Sequence, residues 1–254
     1  MAEMGKTGAP PPTPALPTTG SSSPSMGVII AIIAVVVSTI LLFLLLKKRV
    51  QQRSVLFLGL CDSGKTLLLS HIGYNTYKNT QTSIKPNEAT YSPDGKRRLE
   101  LVDIPGHERL RQTALDRYKA GTRGLLFVVD STTVQKQLKD VAEYLYTVLT
   151  DPAVAALRPP LLVLCNKQDQ MQAKGASLIR TQLEREINTL RWTKSSSLQG
   201  TDDSSTTATL GREGEDFEFS HLRQPVEFVE GSCGANEDDE PSLEAVTEWL
   251  NMLA

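Results

Sequence analysis

The sequence predicts an α/β fold: a P-loop domain with a mostly parallel, doubly wound sheet, helices on both faces, and a single transmembrane helix ahead of it. Three observations predict it. Beyond residue 53, short apolar runs alternate with helical patterns. Those runs are continuous rather than alternating, so both faces of the sheet are covered. The first of them ends in Gly59-Leu60-Cys61-Asp62-Ser63-Gly64-Lys65-Thr66, which satisfies G-x-x-x-x-G-K-[ST] between a strand pattern and a helical one.

The elements follow in order. Residues 1–26 are Pro-, Gly-, Ser- and Thr-rich with few large apolar side chains, which predicts a disordered tail. Ala2 stands where a myristoylated chain needs glycine. Residues 27–46 form an uncharged apolar run, long enough at about 1.5 Å per residue to cross a hydrocarbon core of about 30 Å. It lacks the basic start of a signal peptide and the polar face of a core helix. Residues 47–53 form a basic linker. Lys47, Lys48, Arg49 and Arg53 follow the run, against Lys6 alone before it, so the tail is expected in the lumen and the remainder in the cytosol. No later run is long enough to cross again, which removes most of the case for a nucleotide-driven pump.

Residues 54–254 then read as one domain. "SVLFLGL" is a buried strand and "KTLLLSHI" opens a helix. "ATYSPDGKRRLELVDIP" is two strands joined at Pro93-Asp94-Gly95. Gly124–Asp130 and Pro160–Lys167 are further strands, separated by an amphipathic helix over Val134–Leu149. A helix over Ala176–Leu190, a last strand "PVEFVEG" and a closing helix over Pro241–Leu253 complete the pattern. Residues 195–216 are low in complexity and predict a mobile loop. The charge balance, 27 basic against 29 acidic residues for a net of -2, gives no reason to expect direct nucleic-acid binding. Cys61, Cys165 and Cys233 are too scattered for a disulfide framework or a metal site and read as reduced thiols.

The chemistry is concentrated in three motifs. In the glycine loop, backbone N–H groups and the start of the following helix, at Leu67, suit phosphates. Lys65 reaches the β- and γ-phosphates, and Thr66 offers its hydroxyl to Mg²⁺. In "LVDIPGHE", Asp103 and Gly106 form D-x-x-G at a strand end: the carboxylate suits Mg²⁺ and the glycine N–H suits a γ-phosphate. In "NKQD", Asp169 accepts from the N1–H and exocyclic amine of guanine. With adenine that carboxylate would be left unpaired, at a cost of several kcal/mol. Asn166 suits the base edge and the Lys167 stem its face. The three in this order predict GTP or GDP with Mg²⁺ as cofactors, and "NKQD" argues against a P-loop kinase.

These motifs resemble those of the small GTPases, the Arf/Sar branch most closely. With the apolar run, "NTQTSI" (Asn79 to Ile84) and the insertion ahead of "FEFS", the chain from about Gly27 to its end is similar to the beta subunits of signal recognition particle receptors. The resemblance implies a GTP-dependent partnership with the receptor's alpha subunit at the endoplasmic reticulum, in co-translational targeting near the ribosome and translocon. Its alternatives are an Arf-like regulator of vesicle traffic, disfavoured by the transmembrane run, and a scaffold that keeps GTP as a structural cofactor. By position, Thr80, Gln81, Thr82 and Ser83 form the first switch loop, with Thr82 or Ser83 completing the Mg²⁺ shell. Ser232-Cys233-Gly234 stands at the fifth guanine-binding element, without the family's lysine. His107 replaces the glutamine that orients the attacking water, and Cys61 and Asp62 replace glycines. Both departures imply slow intrinsic GTP hydrolysis, with His107 as the one catalytic candidate.

Overall fold

The computed structural model describes residues 26–46, 53–77, 80, 82–198, 210–212, 214–234 and 239–254. The tail at 1–25, the linker at 47–52 and Gln81 lie outside the described residues. The apolar run is one helix, α1 (Met26–Leu46), without a charged residue over its 21 positions. Counted over the described residues alone, no helix is long and apolar enough to cross a membrane. Several α1 side chains lie outside that set; those inside it are exposed, Ile30 and Val35 by 62% each.

The second unit is built on six strands among the described residues: β1 (Ser54–Leu58), β2 (Asn87–Tyr91), β3 (Leu99–Asp103), β4 (Thr122–Asp130), β5 (Leu161–Asn166) and β6 (Val226–Glu230). They lie in the order β2-β3-β1-β4-β5-β6, with β2 antiparallel to β3 and every other pairing parallel. The apolar strand runs explain the layering. Successive residues of β1 face opposite sides, Leu56 and Leu58 into one core, Val55 and Phe57 into the other.

The first core is covered by α3 (Glu108–Tyr118), α4 (Val134–Thr150), α5 (Pro152–Leu157) and α6 (Ala176–Leu198), the second by α2 (Lys65–Tyr74) and α7 (Glu244–Leu253). This is the doubly wound arrangement that continuous strand runs require. Phe127 and Tyr144 pack in the first core with ring centroids 5.6 Å apart.

Three boundaries differ from the sequence reading. α6 runs on through Leu198, so the first residues of the loop expected at 195–216 are helical. The far end of that loop is fastened rather than loose. Leu210 is buried, and Arg191 donates to the carbonyls of Arg212 (2.6 Å) and Glu215 (3.1 Å). Residues 199–209 and 213 lie outside the described residues. α7 starts at Glu244 rather than Pro241, because Ser242 pairs with Ser232 in a two-bond antiparallel bridge (2.8 and 3.1 Å) that holds the chain extended. Neither α3 nor α5 is evident from apolar spacing. α3 buries only Ala114 and Leu115, and α5 is six residues set by the Asp151 cap and Pro152.

Candidate functional site

The loops at the carboxyl ends of β1, β3, β5 and β6 meet at one end of the sheet, where ligands of open α/β sheets bind. The loop from Gly59 to Thr66 adopts its turn through left-handed residues: Gly64 at φ 95° and Asp62 at φ 60°. Asp is among the few non-glycine residues that tolerate that region. Around it lies a cavity of about 220 Å³ lined by Cys61, Asp62, Gly64, Lys65, Thr66, Leu67, Thr80, Thr82, Ser83, Asp103, Gly106 and Lys167. Gly106 is obligatory there, since a Cβ would sit 2.4 Å from the Cys61 nitrogen and 2.6 Å from the Leu60 carbonyl carbon.

Lys65 is almost fully buried, with its ammonium donating to the Leu60 carbonyl at 2.6 Å and to the Ser63 hydroxyl at 3.4 Å. Burial pushes it below the ordinary lysine range, and the negative charge of Asp103 opposes that push. Asp103 itself has no solvent exposure. Its Oδ2 accepts from the Thr66 hydroxyl (2.7 Å), the Ser83 hydroxyl (3.3 Å) and the Asn87 amide (3.1 Å), and the two hydroxyl oxygens lie 3.0 Å apart. Among the described residues its Oδ1 has no hydrogen-bond partner.

A buried carboxylate oxygen without a donor, beside converging hydroxyls, suits a hard, oxygen-preferring cation such as Mg²⁺. Among the described residues no three His, Cys, Asp or Glu side chains gather, so the fit is to an ion held by one carboxylate, hydroxyls and phosphate oxygens. Of the two candidate switch hydroxyls, it is Ser83 that reaches Thr66 and Asp103; Thr82 lines the cavity.

At the other end, Asp169 accepts a very short hydrogen bond from the Ser232 hydroxyl, which also accepts from the Gly234 N–H at 3.1 Å. Asp169, Gln168, Ser232 and Gly234 line a second cavity of about 740 Å³. Lys167, in the left-handed region at φ 66°, turns its ammonium to Asp130 at 2.7 Å and lines the first cavity with its stem. Asp130 is a member of the site that the motifs did not reveal. It ends an apolar strand directly beside Asn166 in register, and that lone carboxylate was the available signal.

Against the upward push of burial, hydrogen bonds from Lys167 and Thr132 hold the Asp130 carboxyl below the usual carboxylate range. Its stabilisation is therefore present at neutral pH and lost as pH falls through that lowered value. Asp130→Asn is expected to cost about 1.5–3 kcal/mol at pH 7 in denaturant titrations. The difference from the unsubstituted protein should shrink on acidification.

Two residues sit otherwise than their motifs suggest. Asn166 is 1% exposed and its amide bonds backbone at both ends: Nδ2 donates to the Ser63 carbonyl (2.8 Å) and Oδ1 accepts from the Cys233 N–H (3.3 Å). It braces the phosphate loop against the Ser232-Cys233-Gly234 turn, using one of the two Nδ2 hydrogens to do so. The Oδ1 bond engages the Cys233 N–H, one of the backbone N–H groups of the Ser232-Cys233-Gly234 element. His107 is exposed and caps α3, its Nδ1 accepting from the Arg109 N–H at 3.3 Å. It lines a cavity of about 370 Å³ with Leu60, Glu108, Arg111 and Asp140, which adjoins the one containing Lys65 and Asp103 and shares Cys61, Asp62 and Gly106 with it.

The thiols differ as their burial dictates. Burial pushes Cys165 and Cys233 up to about 12, while Cys61 is partly exposed in the phosphate loop. At pH 8, iodoacetamide is expected to label Cys61 alone in the folded protein, and peptide mass spectrometry after added GDP should show that labelling slowed.

Comparison with known proteins agrees with this fold. The family model for the signal recognition particle receptor beta subunit matches residues 50–226. The chain is 48% identical over 212 residues to signal recognition particle receptor subunit beta of Rattus norvegicus, covering 82% of this chain and 79% of that one. It is 46% identical over 212 residues to that of Homo sapiens, covering 82% and 78%. Among solved structures, the mammalian SRP receptor superposes with a TM-score of 0.69 at 45% identity, over 80% of this chain and 100% of that one. The SRb-GDP-Mg structure from Chaetomium thermophilum, at 24% identity and a TM-score of 0.62, covers 82% of this chain and 100% of its own and shares the fold. A P-loop fold with this sequence kinship has one reading: the chain belongs to the family of signal recognition particle receptor beta subunits, the small GTPases of that receptor.

Proposed function

We propose that this chain is a membrane-anchored guanine-nucleotide switch. In its GTP form it binds the receptor's alpha subunit and holds it at the endoplasmic reticulum for co-translational targeting. The observation that carries the proposal is the junction of Thr66, Ser83 and Asp103, in which three separate segments converge on one buried carboxylate. Ser83 belongs to the segment between α2 and β2, so whatever occupies the cavity controls the order of that segment. Ile84, the next residue, is 76% exposed, ready to be covered by a protein that reads the ordered form.

In this reading Lys65 and the loop N–H groups bind the β- and γ-phosphates, and Gly106 meets the γ-phosphate from the D-x-x-G side. Thr66, Ser83 and Asp103 hold Mg²⁺, which supplies charge neutralisation between the phosphates when bound. Asp169, positioned by Ser232, selects guanine. Solved neighbours that share this fold include an SRb-GTP/SRX complex and an SRb-GDP-Mg form, which supports both cofactors and the partner. α1 supplies the anchor: 21 uncharged positions rising about 1.5 Å each span roughly the hydrocarbon thickness of a bilayer, with the basic residues that follow on the cytosolic side.

His107 caps α3 and faces the neighbouring cavity, which favours slow hydrolysis and a long-lived GTP form. The test is to purify the full chain in detergent, alone and with a co-expressed alpha subunit, denature each, and chromatograph the released nucleotide. GTP retained in the complex is the expected result. ATP, or no purine nucleotide in either sample, overturns the reading of Asp169. GDP in both overturns the long-lived GTP form.

A further inference from the structure

The end of the sheet opposite the nucleotide carries a pattern that the net charge of -2 conceals. One arginine stands at the start of each parallel strand: Arg53 before β1, Arg98 before β3, Arg123 as the second residue of β4, Arg158 ahead of β5 and Arg223 ahead of β6. Parallel register brings them to one level, since Ser54 pairs with Glu100 and Thr122, and Leu161 with Leu125 and Val226. All five are exposed, and among the described residues none of their guanidinium groups has a hydrogen bond, ion pair or ring contact.

Nearby carboxylates are largely engaged: Asp94 with Arg97, and Asp116 and Asp151 with Lys119. Glu100 and Glu227 sit one residue inside β3 and β6. The last turn of α7 reaches the same end, where Asn251 bonds Tyr91 and Met252 is 70% exposed.

We propose that this end of the sheet is a docking surface for anionic phospholipid headgroups. The chain's own path argues for that occupant. Only residues 47–52 separate α1 from Arg53, a reach of about 20 Å when fully extended. A bilayer-embedded α1 therefore holds the arginine end, where the tether joins the domain, within reach of the leaflet at high effective concentration. Each basic side chain close to an anionic leaflet contributes roughly fivefold to the binding equilibrium, provided the surface lies within about a Debye length.

This inference rests on the anchored reading, and the test separates the two. The full chain is placed in nanodiscs of phosphatidylcholine, with or without phosphatidylserine. Amide exchange is followed over 92–98, 156–160 and 222–225, and alkaline carbonate extraction reports the anchor. The expected result is about tenfold slower exchange in these segments on anionic discs at low salt. That slowing should be lost at high salt and in the R53Q/R98Q/R123Q/R158Q/R223Q variant, whose nucleotide binding stays unchanged. Retention after carbonate with equal exchange on both lipids overturns the docking surface and leaves the anchor standing. Extraction by carbonate together with the lipid-dependent slowing supports the surface and overturns the anchor. Extraction without slowing overturns both.

Discussion

Lys65→Met is expected to lower GDP and GTP affinity by more than about 100-fold and, at the same time, to raise the stability of nucleotide-free protein. Both effects come from one buried ammonium. It lies in the glycine loop and lines the cavity, and charge-assisted hydrogen bonds from such a group are worth about 1.5–3 kcal/mol each. Without phosphate, a lysine 5% exposed bears the cost of desolvation, with only a carbonyl and a hydroxyl as acceptors. Methionine has similar length and no charge, so it removes that cost.

The pH dependence distinguishes this from general repacking. Burial lowers the folded-state value below 10.5, so below that value Lys65 is charged in both states and the cost is complete. As pH rises through it toward the unfolded value, the folded state sheds its proton first and stability rises. The variant should lack that rise. Calorimetry for affinity and urea titration between neutral and alkaline pH would decide, and an unchanged affinity would remove Lys65 from the site.

Asp169→Asn is the second large effect. The carboxylate has one oxygen on the Ser232 hydroxyl, and its Oδ2 has no hydrogen bond among the described residues. Guanine presents two adjacent donors, and an amide cannot accept from both without turning its own NH₂ toward one of them. Guanine-nucleotide affinity is expected to fall about 100- to 1000-fold, corresponding to the loss of one to two charged hydrogen bonds. Xanthosine diphosphate, with a carbonyl in place of the amine, should bind the variant better than GDP does. Competition binding with the two nucleotides is the measurement, and equal loss of both would mean that the substitution had merely disordered the turn at Ser232.

The strands were legible because continuous burial on both faces leaves continuous apolar runs, and β4 and β5 are buried along nearly their entire length. The phosphate loop was legible for a related reason, since its residues contact one another within eight positions. Legibility failed where partners are far apart in sequence. Asn166 reaches Ser63 and Cys233, 103 and 67 positions away, and nothing local distinguishes a brace from a base-reading amide. Asp130 and Lys167 are 37 apart and become neighbours only through the pairing of β4 with β5. α3 failed differently: a helix with two buried residues shows almost no apolar stripe, so its cap, His107, could be read only as chemistry.

The Asn166 brace also has a mechanical meaning. One side-chain amide is the shared hinge pin of two grips, the loop that surrounds phosphate and the turn that backs the residue selecting the base. The Ser232–Ser242 bridge lines the cavity that holds Asp169, so strain placed on the bridge would pass through Asn166 to the glycine loop. By thermodynamic reciprocity, a nucleotide seated in the loop would stiffen that bridge in turn.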